Sequence, residues 1–365
     1  MDFTFTEDQE AVRDLAGRVF GDRATAARVK EVERGPERVD RELWAELART
    51  GLLALCLPEE AGGSGLGAIE LCLVLEQQGR RVAPVPLLPT LASALTLAEF
   101  GSPRQRAAWL AGVAGGDVVL APALGGLGWP DAATAPVASP DGRGWRLEGT
   151  APSVPAAPLA ARILVAADSP QGPRLFLVDP AAAGAEVEPV DTTDRQSYGR
   201  LVLSGARVDE DDVVGDARAV TWCVERMLVG LCALQLGVAE EAVGMAAGHA
   251  SSRVQFGRPL STFQGVALRA ADAFIDTEAM RVTMWQAAWR LSEGLDARRE
   301  VLVAKWWAAE AGQRVVHATQ HLHGGIGADI DYPVHRYFLW GKQIENTLGG
   351  ASAVLSSLGR ELTRA

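Results

Sequence analysis

Two short stretches in the last third of the chain combine residue types suited to holding a phosphate group. The first is Arg253-Val-Gln-Phe256-Gly257-Arg-Pro-Leu260, followed by Phe263-Gln264; the second, about sixty residues on, is His323-Gly324-Gly325-Ile-Gly327. An arginine clamps an anion through a fork of donors, and a Gly-Gly turn lets backbone amides approach phosphate or adenine with no side chain between. Arg253, Gly324 and Gly325 are of these types. Arg253 also suits an interhelical ion pair, and Phe256 a core position. Three histidines crowd the second stretch, and His317 and His321 have the i, i+4 spacing of one helix face. No carboxylate or cysteine completes a ligand set beside them, so no metal is expected.

The elements that must position these residues fall into three blocks: 1–115, 116–214 and 215–365. The first reads helical. Thr6 and Gln9 have capping-box spacing, and Val12, Leu15, Ala16, Val19 and Phe20 follow with helical periodicity. Further helices are expected over Arg41 to Arg49 and Ile69 to Gln78. The loop Leu57-Pro-Glu-Glu-Ala-Gly62-Gly63-Ser-Gly65-Leu-Gly67 resembles a dinucleotide loop but lacks the preceding strand, so it reads as structural. In the second block helical periodicity stops and short runs such as Ile163 to Ala167, Arg174 to Val178 and Leu201 to Leu203 alternate with turns, Asp141-Gly142 among them. A small antiparallel barrel or sandwich is expected. The third block is helical near 218–250, 262–293 and 296–322, with a final helix after Pro333, and predicts a four-helix bundle. Small residues for its crossings are Gly237, Ala239, Gly244, Ala246 and Ala247. Trp285, Trp289, Trp306 and Trp307 suit interhelical or subunit-interface packing.

Composition narrows the function classes. With 35 basic against 46 acidic residues the net charge is −11, which repels nucleic acid and anionic lipid. The four cysteines lie singly in apolar segments with no signal peptide before them, which predicts buried free thiols and a cytoplasmic protein. The apolar run Met227 to Ala239 is too short for a membrane span and suits a core helix.

The α, β, α order and the motifs together resemble the acyl-CoA dehydrogenase family from end to end. The matching segments are Phe5-Thr-Glu-Asp-Gln9, Leu57 to Gly65, Leu147-Glu-Gly149-Thr150, the Arg253 to Gln264 string and His323 to Gly327. The resemblance implies an FAD cofactor, an acyl-CoA thioester substrate, and carboxyl-terminal elements that reach across a subunit interface to the ADP half of a neighbour's FAD. Arg253, Phe256, Gln264, Gly324 and Gly325 are then the cofactor contacts, with His321, next to Gln320, where the family usually has a glutamine.

The chain departs from the family where the chemistry is done. Family enzymes take the substrate α-proton with a glutamate while hydride passes to the flavin. Leu348 occupies that glutamate's place, ahead of Gly349-Gly350. Some members carry the base on the first helix of the carboxyl domain; that position falls on Met227, and Glu225 is two residues away, about 200° round the helix. Glu345 is a weaker candidate. The segments that meet the flavin ring also differ: Ala121 to Asp131 lacks the usual hydroxyls, and Ser153-Val154-Pro155 stands where relatives have Trp-Ile-Thr. The expected function is therefore a non-catalytic subunit of an actinobacterial-type heteromeric dehydrogenase, in a heterotetramer with a homologous catalytic subunit. Two alternatives stay open: an active homo-oligomeric enzyme for acyl-CoA or an acyl-carrier substrate using Glu225, and a non-enzymatic scaffold.

Overall fold

The computed structural model describes residues 4–125 and 136–363. Six helices come first: α1 (Glu7–Arg23), α2 (Ala26–Arg34), α3 (Arg41–Arg49), α4 (Ala68–Arg81), α5 (Leu87–Phe100) and α6 (Pro103–Gly115). The capping box at Thr6 is formed in full: the Thr6 hydroxyl accepts from the Gln9 amide and the Gln9 side chain accepts from the Thr6 amide. Proline does not prevent α5, because Pro86 is its N-cap and Pro89 lies in its first turn, where no intrahelical N–H is needed. The Leu57 to Gly67 segment is irregular apart from a short 3-10 helix at Glu59–Ala61, which ends on Gly62 at φ 83°.

The strands follow as β1 (Leu120–Ala123), β2 (Val137–Asp141), β3 (Gly144–Pro155), β4 (Arg162–Ser169), β5 (Gly172–Val178), β6 (Ala185–Val190), β7 (Tyr198–Asp209) and β8 (Val213–Gly215). They form one sheet in the order β6-β7-β3-β2-β4-β5-β8, with β1 beside β4. The barrel expectation is corrected: β6 and β8 are the ends of the path and do not pair, so the sheet is not closed. Nor is it wholly antiparallel, since β1 and β2 each run parallel to β4. The Asp141-Gly142 turn joins β2 to β3 as expected, with Gly142 at φ 66°. Leu147, Ile163, Val165, Phe176 and Leu201 form the buried core of this sheet.

The remaining helices are α7 (Ala217–Ser252), α8 (Gln264–Ser292), α9 (Arg298–His323), α10 (Val334–Asn346) and α11 (Ala351–Leu362), with a two-stranded hairpin, β9 (Val254–Gln255) and β10 (Arg258–Pro259), between α7 and α8. The expected final helix is two helices, because Leu348 and Gly349 both take positive φ, 54° and 104°, which an α-helix cannot contain. By length and hydropathy α7 could cross a membrane, but 78% of its most apolar stretch is buried in protein, as in a core helix.

Two compact units result. One holds the chain up to Val29, Ala68–Ala83 and everything from Leu228; the other holds Lys30–Gly67 and Pro84–Met227. Within the first, α4 and α7 cross at two glycines: a Cβ on Gly79 would stand 2.2 Å from the Leu234 carbonyl oxygen, and one on Gly237 2.0 Å from that of Glu76. Gly244, in contrast, faces open space and Ala247 is exposed.

In the same unit α9 fixes the end of α10. Lys305 is fully buried, and its ammonium donates to the carbonyls of Ile344 (2.7 Å) and Glu345 (3.3 Å). A cation at a helix C-terminus satisfies orphan carbonyls and the helix dipole together. This anchors the turn that leads into Leu348. Burial nevertheless pushes the Lys305 ammonium down from 10.5 to about 8. The folded chain then binds this proton less tightly than the unfolded chain, so this contribution to stability rises with pH between about 8 and 10.5. The buried thiols of Cys223 and Cys232, pushed up to about 11 and about 12, act in the opposite sense as the unfolded thiols ionise. The measurement must therefore be a difference. Across that window the unfolding free energy of wild type relative to Lys305→Met is expected to grow by about 3 kcal/mol in denaturant titrations. A pH-independent difference would refute the buried-ammonium account.

Candidate cofactor-contact site

The hairpin between α7 and α8 carries the first motif. Its strands pair through Gln255 and Arg258, leaving Phe256 and Gly257 as a two-residue loop. Both loop residues have positive φ, 53° and 79°, the type I′ geometry whose twist suits a hairpin. Glycine accepts this freely, whereas phenylalanine does not. Phe256 is also 92% exposed, touching only the edge of Phe263 among the aromatic contacts, with centroids 6.2 Å apart. It is therefore not a core aromatic. The Arg258 guanidinium lies 4.1 Å from the centre of the Phe263 ring and steadies the base of the loop.

Arg253 closes this hairpin by its backbone. Its amide donates to the His249 carbonyl and its carbonyl accepts from the Leu260 amide, both at 2.9 Å. The side chain is exposed and has no ion-pair partner among the described residues. Gln264, also exposed, is the first residue of α8, whose N-cap Phe263 supplies no side-chain hydrogen bond. The first-turn amides of that helix therefore favour an anion or water.

The second motif stands at the end of α9. Gly324 has φ 63° and ψ −142°, a region essentially closed to residues with a Cβ, and it opens a 3-10 turn over Gly324–Ala328. A Cβ on Gly324 or Gly325 would meet nothing within 4 Å, so both present bare backbone to open space. His321 is exposed in the last turn of α9. Gln320 lies under the motif instead: its Oε1 is buried without a partner among the described residues, and its amide nitrogen is 3.1 Å from where a Cβ on Gly327 would stand.

A contact that sequence reasoning missed joins the two motifs. His323 is buried, its Nδ1 donates to the Thr319 carbonyl at 2.7 Å, and its ring stacks on His249 at 4.8 Å and 26°. Its Nε2 is buried with no partner among the described residues. Since the His249 carbonyl receives the Arg253 amide, the stack brings the end of α7 to the end of α9. Burial, followed by the charge of His323 and Arg253, holds the His249 imidazole below its usual range. No signal in the spacing of these histidines pointed to stacking. Among the described residues no group of three or more His, Cys, Asp or Glu could hold a metal.

The candidate bases are placed differently. Leu348 is half-buried in the connection between α10 and α11 and has no group that can take a proton. Glu345 pairs with Lys342. Glu225 is half-buried on α7, beside the charge of Arg226, whose guanidinium covers the Trp222 ring at 3.4 Å. Met227 is buried. On β3, Val154 is directed into the sheet core and Ser153 is exposed, while residues 126–131 of the Ala121 to Asp131 segment lie outside the described residues.

These features match a known class. The acyl-CoA dehydrogenase N-terminal domain family matches residues 6–117, and the acyl-CoA dehydrogenase C-terminal domain family matches 218–361. The chain belongs to the acyl-CoA dehydrogenase family, whose members are flavoprotein oxidoreductases. It is 40% identical to acyl-CoA dehydrogenase FadE27 of Mycobacterium tuberculosis, over 99% of each chain. Among solved structures it is similar to the ChsE4-ChsE5 complex from Mycobacterium tuberculosis, with TM-score 0.96 and 40% identity over 100% of both chains. It is also similar to a variant of the Tcur3481-Tcur3483 steroid ACAD, with TM-score 0.93 and 49% identity over 98% of both chains.

The hairpin geometry gives a direct test. Asparagine is the favoured partner of glycine in a type I′ turn, so Phe256→Asn should stabilise the isolated chain by about 1 kcal/mol, read as a raised thermal midpoint. A lowered midpoint would show that the phenylalanine ring contributes more to this chain's own packing than its backbone strain costs.

Proposed function

We propose that this chain is the base-deficient subunit of a heteromeric, FAD-dependent acyl-CoA dehydrogenase. In this reading it lends Arg253, Phe256, Gln264, His321, Gly324 and Gly325 to the ADP half of FAD in a site completed by a homologous subunit. The observation that carries the proposal is Leu348: the half-buried residue in the position of the family's glutamate has no proton acceptor. The similarity to chains of the ChsE4-ChsE5 complex and of the Tcur3481-Tcur3483 steroid ACAD supports a heteromer and a bulky, steroid-type acyl-CoA substrate.

The residues fit one half of the cofactor and not the other. An exposed arginine, an uncapped helix start and two open glycines suit a pyrophosphate and adenine. The buried Val154 and exposed Ser153 supply no aromatic wall for a flavin ring. When bound, FAD supplies the hydride acceptor. The part left to this chain is to neutralise phosphate charge through Arg253, to direct Gln264 and His321 at polar edges, and to bring bare amides of Gly324 and Gly325 close. Phe256, held out on its turn, would pack against the neighbouring subunit and exclude water there.

The purified chain alone is expected to carry no stoichiometric FAD and to show no flavin reduction with a steroid acyl-CoA; co-expression with a homologous dehydrogenase subunit should restore both in a heterotetramer. Stoichiometric, reducible FAD in the lone chain would sink the proposal. In the complex, Arg253→Ala should weaken FAD retention roughly tenfold or more, as expected for loss of a charge-assisted contact. Glu225→Gln should leave turnover unchanged. Loss of turnover in a folded Glu225→Gln protein would instead favour the homo-oligomeric enzyme, and a flavin-free complex would favour a scaffold.

A further inference from the structure

The hairpin that carries Arg253 and Phe256 and the turn that carries Gly324 and Gly325 are far apart in the chain, and a pair of imidazoles stands where they meet. His249 lies in the last turn of α7. Its carbonyl accepts from the Ser252 hydroxyl at 3.2 Å as well as from the Arg253 amide at 2.9 Å, so the backbone that opens the hairpin is tied to the residue whose ring stacks on His323. His323 is in turn the last residue of α9, directly before Gly324. The 3-10 turn leaves His323 and the chain then returns to it, since the Tyr332 ring lies 5.3 Å from the imidazole, tilted by 54°. Each of the two motifs therefore hangs from one ring of the stack.

The two rings differ in their surroundings. His323 is buried and fixed by the Thr319 carbonyl, whereas His249 is half-buried and open to water on one side. Among the described residues the charges that act on His249 are those of His323 on α9 and of Arg253 at the mouth of the hairpin, both cationic. On the hairpin itself Arg258 is held over Phe263, and His321 in the last turn of α9 is exposed. From the loop after α9 come Tyr332, which faces His323, and Asp329, whose carboxylate accepts from the Asp331 amide at 2.9 Å. A proton on His249 thus meets partial burial and like charge, and these hold the imidazole below its usual range. The stacked ring binds a proton less tightly than a released ring of ordinary value 6.5. The contribution of the stack is therefore whole above pH 6.5 and is lost as pH falls below it.

We infer that His249 is a positioning residue for the cofactor contact: its neutral ring, stacked on His323, holds the Arg253 hairpin against the Gly324-Gly325 turn, and protonation releases it. The identity of the group held between the two motifs rests on the function proposed above, whereas the latch rests on the stack alone. Cofactor retention then weakens in acid through a side chain that is not one of the assigned contacts.

Hydrogen exchange of the full chain, corrected for the intrinsic effect of pH, reads the latch with no cofactor present. The hairpin amides, those of Arg253 and Leu260 among them, are expected to exchange several-fold faster at about pH 5.5 than at about pH 7.5. The difference should vanish in His249→Phe, whose ring stacks but does not titrate. In the complex with a homologous dehydrogenase subunit, the FAD dissociation constant should rise several-fold over the same interval, and by no more than about tenfold for each pH unit below 6.5. There His249→Phe should retain FAD equally at both pH values, and His249→Ala should weaken it at both. Hairpin exchange or FAD retention that does not respond to acid, or an acid effect that persists in the folded His249→Phe protein, would overturn the inference. A complex that binds no FAD although its hairpin exchange responds to acid would instead overturn the proposed function and support the latch.

Discussion

The close approach of α4 and α7 is the constraint on which the larger helical unit depends. With no Cβ at Gly79 or Gly237 the two backbones come into contact, and side chains that would otherwise be surface groups become buried beside the crossing. Glu76 and Arg80 flank Gly79 on α4, and Glu240 lies one turn beyond Gly237 on α7. Glu240 then pairs with Arg80 and with Arg281 of α8, so a single carboxylate ties three helices. Removing Glu240 would leave both half-buried arginines without this shared partner. The crossing therefore fixes not only a helix pair but the seat of α8, whose first residue is Gln264.

From that seat the proposed cofactor-contact residues follow by chain geometry. The hairpin spans the short gap between α7 and α8, and its type I′ turn sends Phe256 outward instead of into the bundle. On the other side, α9 brings His323 against His249, so the two motifs meet through a ring stack although about seventy residues separate their histidines. No single contact in this arrangement is strong. What holds it is that each backbone end is tied: Arg253 to His249, Leu260 to Arg253, and His323 to Thr319.

Much of this was legible in the sequence because it is local. The Thr6 capping box, the helical periodicity of α1 and α3, and the Asp141-Gly142 turn depend on residues within a few positions of each other, and all are present. The strands β1, β2 and β6 were not named, and each contains a proline, at Pro122, Pro140 and Pro189, which reads as a break in a single sequence. Whether the sheet closes depends on which strands meet at its ends, information that lies in long-range pairing. The motif residues were likewise visible by type. The left-handed backbone of Phe256, the His249 stack and the buried Lys305 were not, because each arises only when distant elements are brought together.

Leu348 shows the same division between local and distant causes. A leucine at φ 54° sits in a backbone region that costs roughly 1–2 kcal/mol for a residue with a Cβ. Contacts from α9 and from the connection itself hold it: Lys305 takes the carbonyls of Ile344 and Glu345, the Gly349 amide donates to the Asn346 carbonyl at 3.2 Å, and the glycines at 349 and 350 let the chain turn at once into α11. The connection is thus built as a defined loop whatever side chain stands at its first left-handed residue. A carboxylate there would be presented by the same backbone, and a leucine is presented instead. On the proposed reading the loop's shape serves the fold of this subunit, while the proton chemistry that such a loop performs in the family belongs to the neighbouring subunit's site.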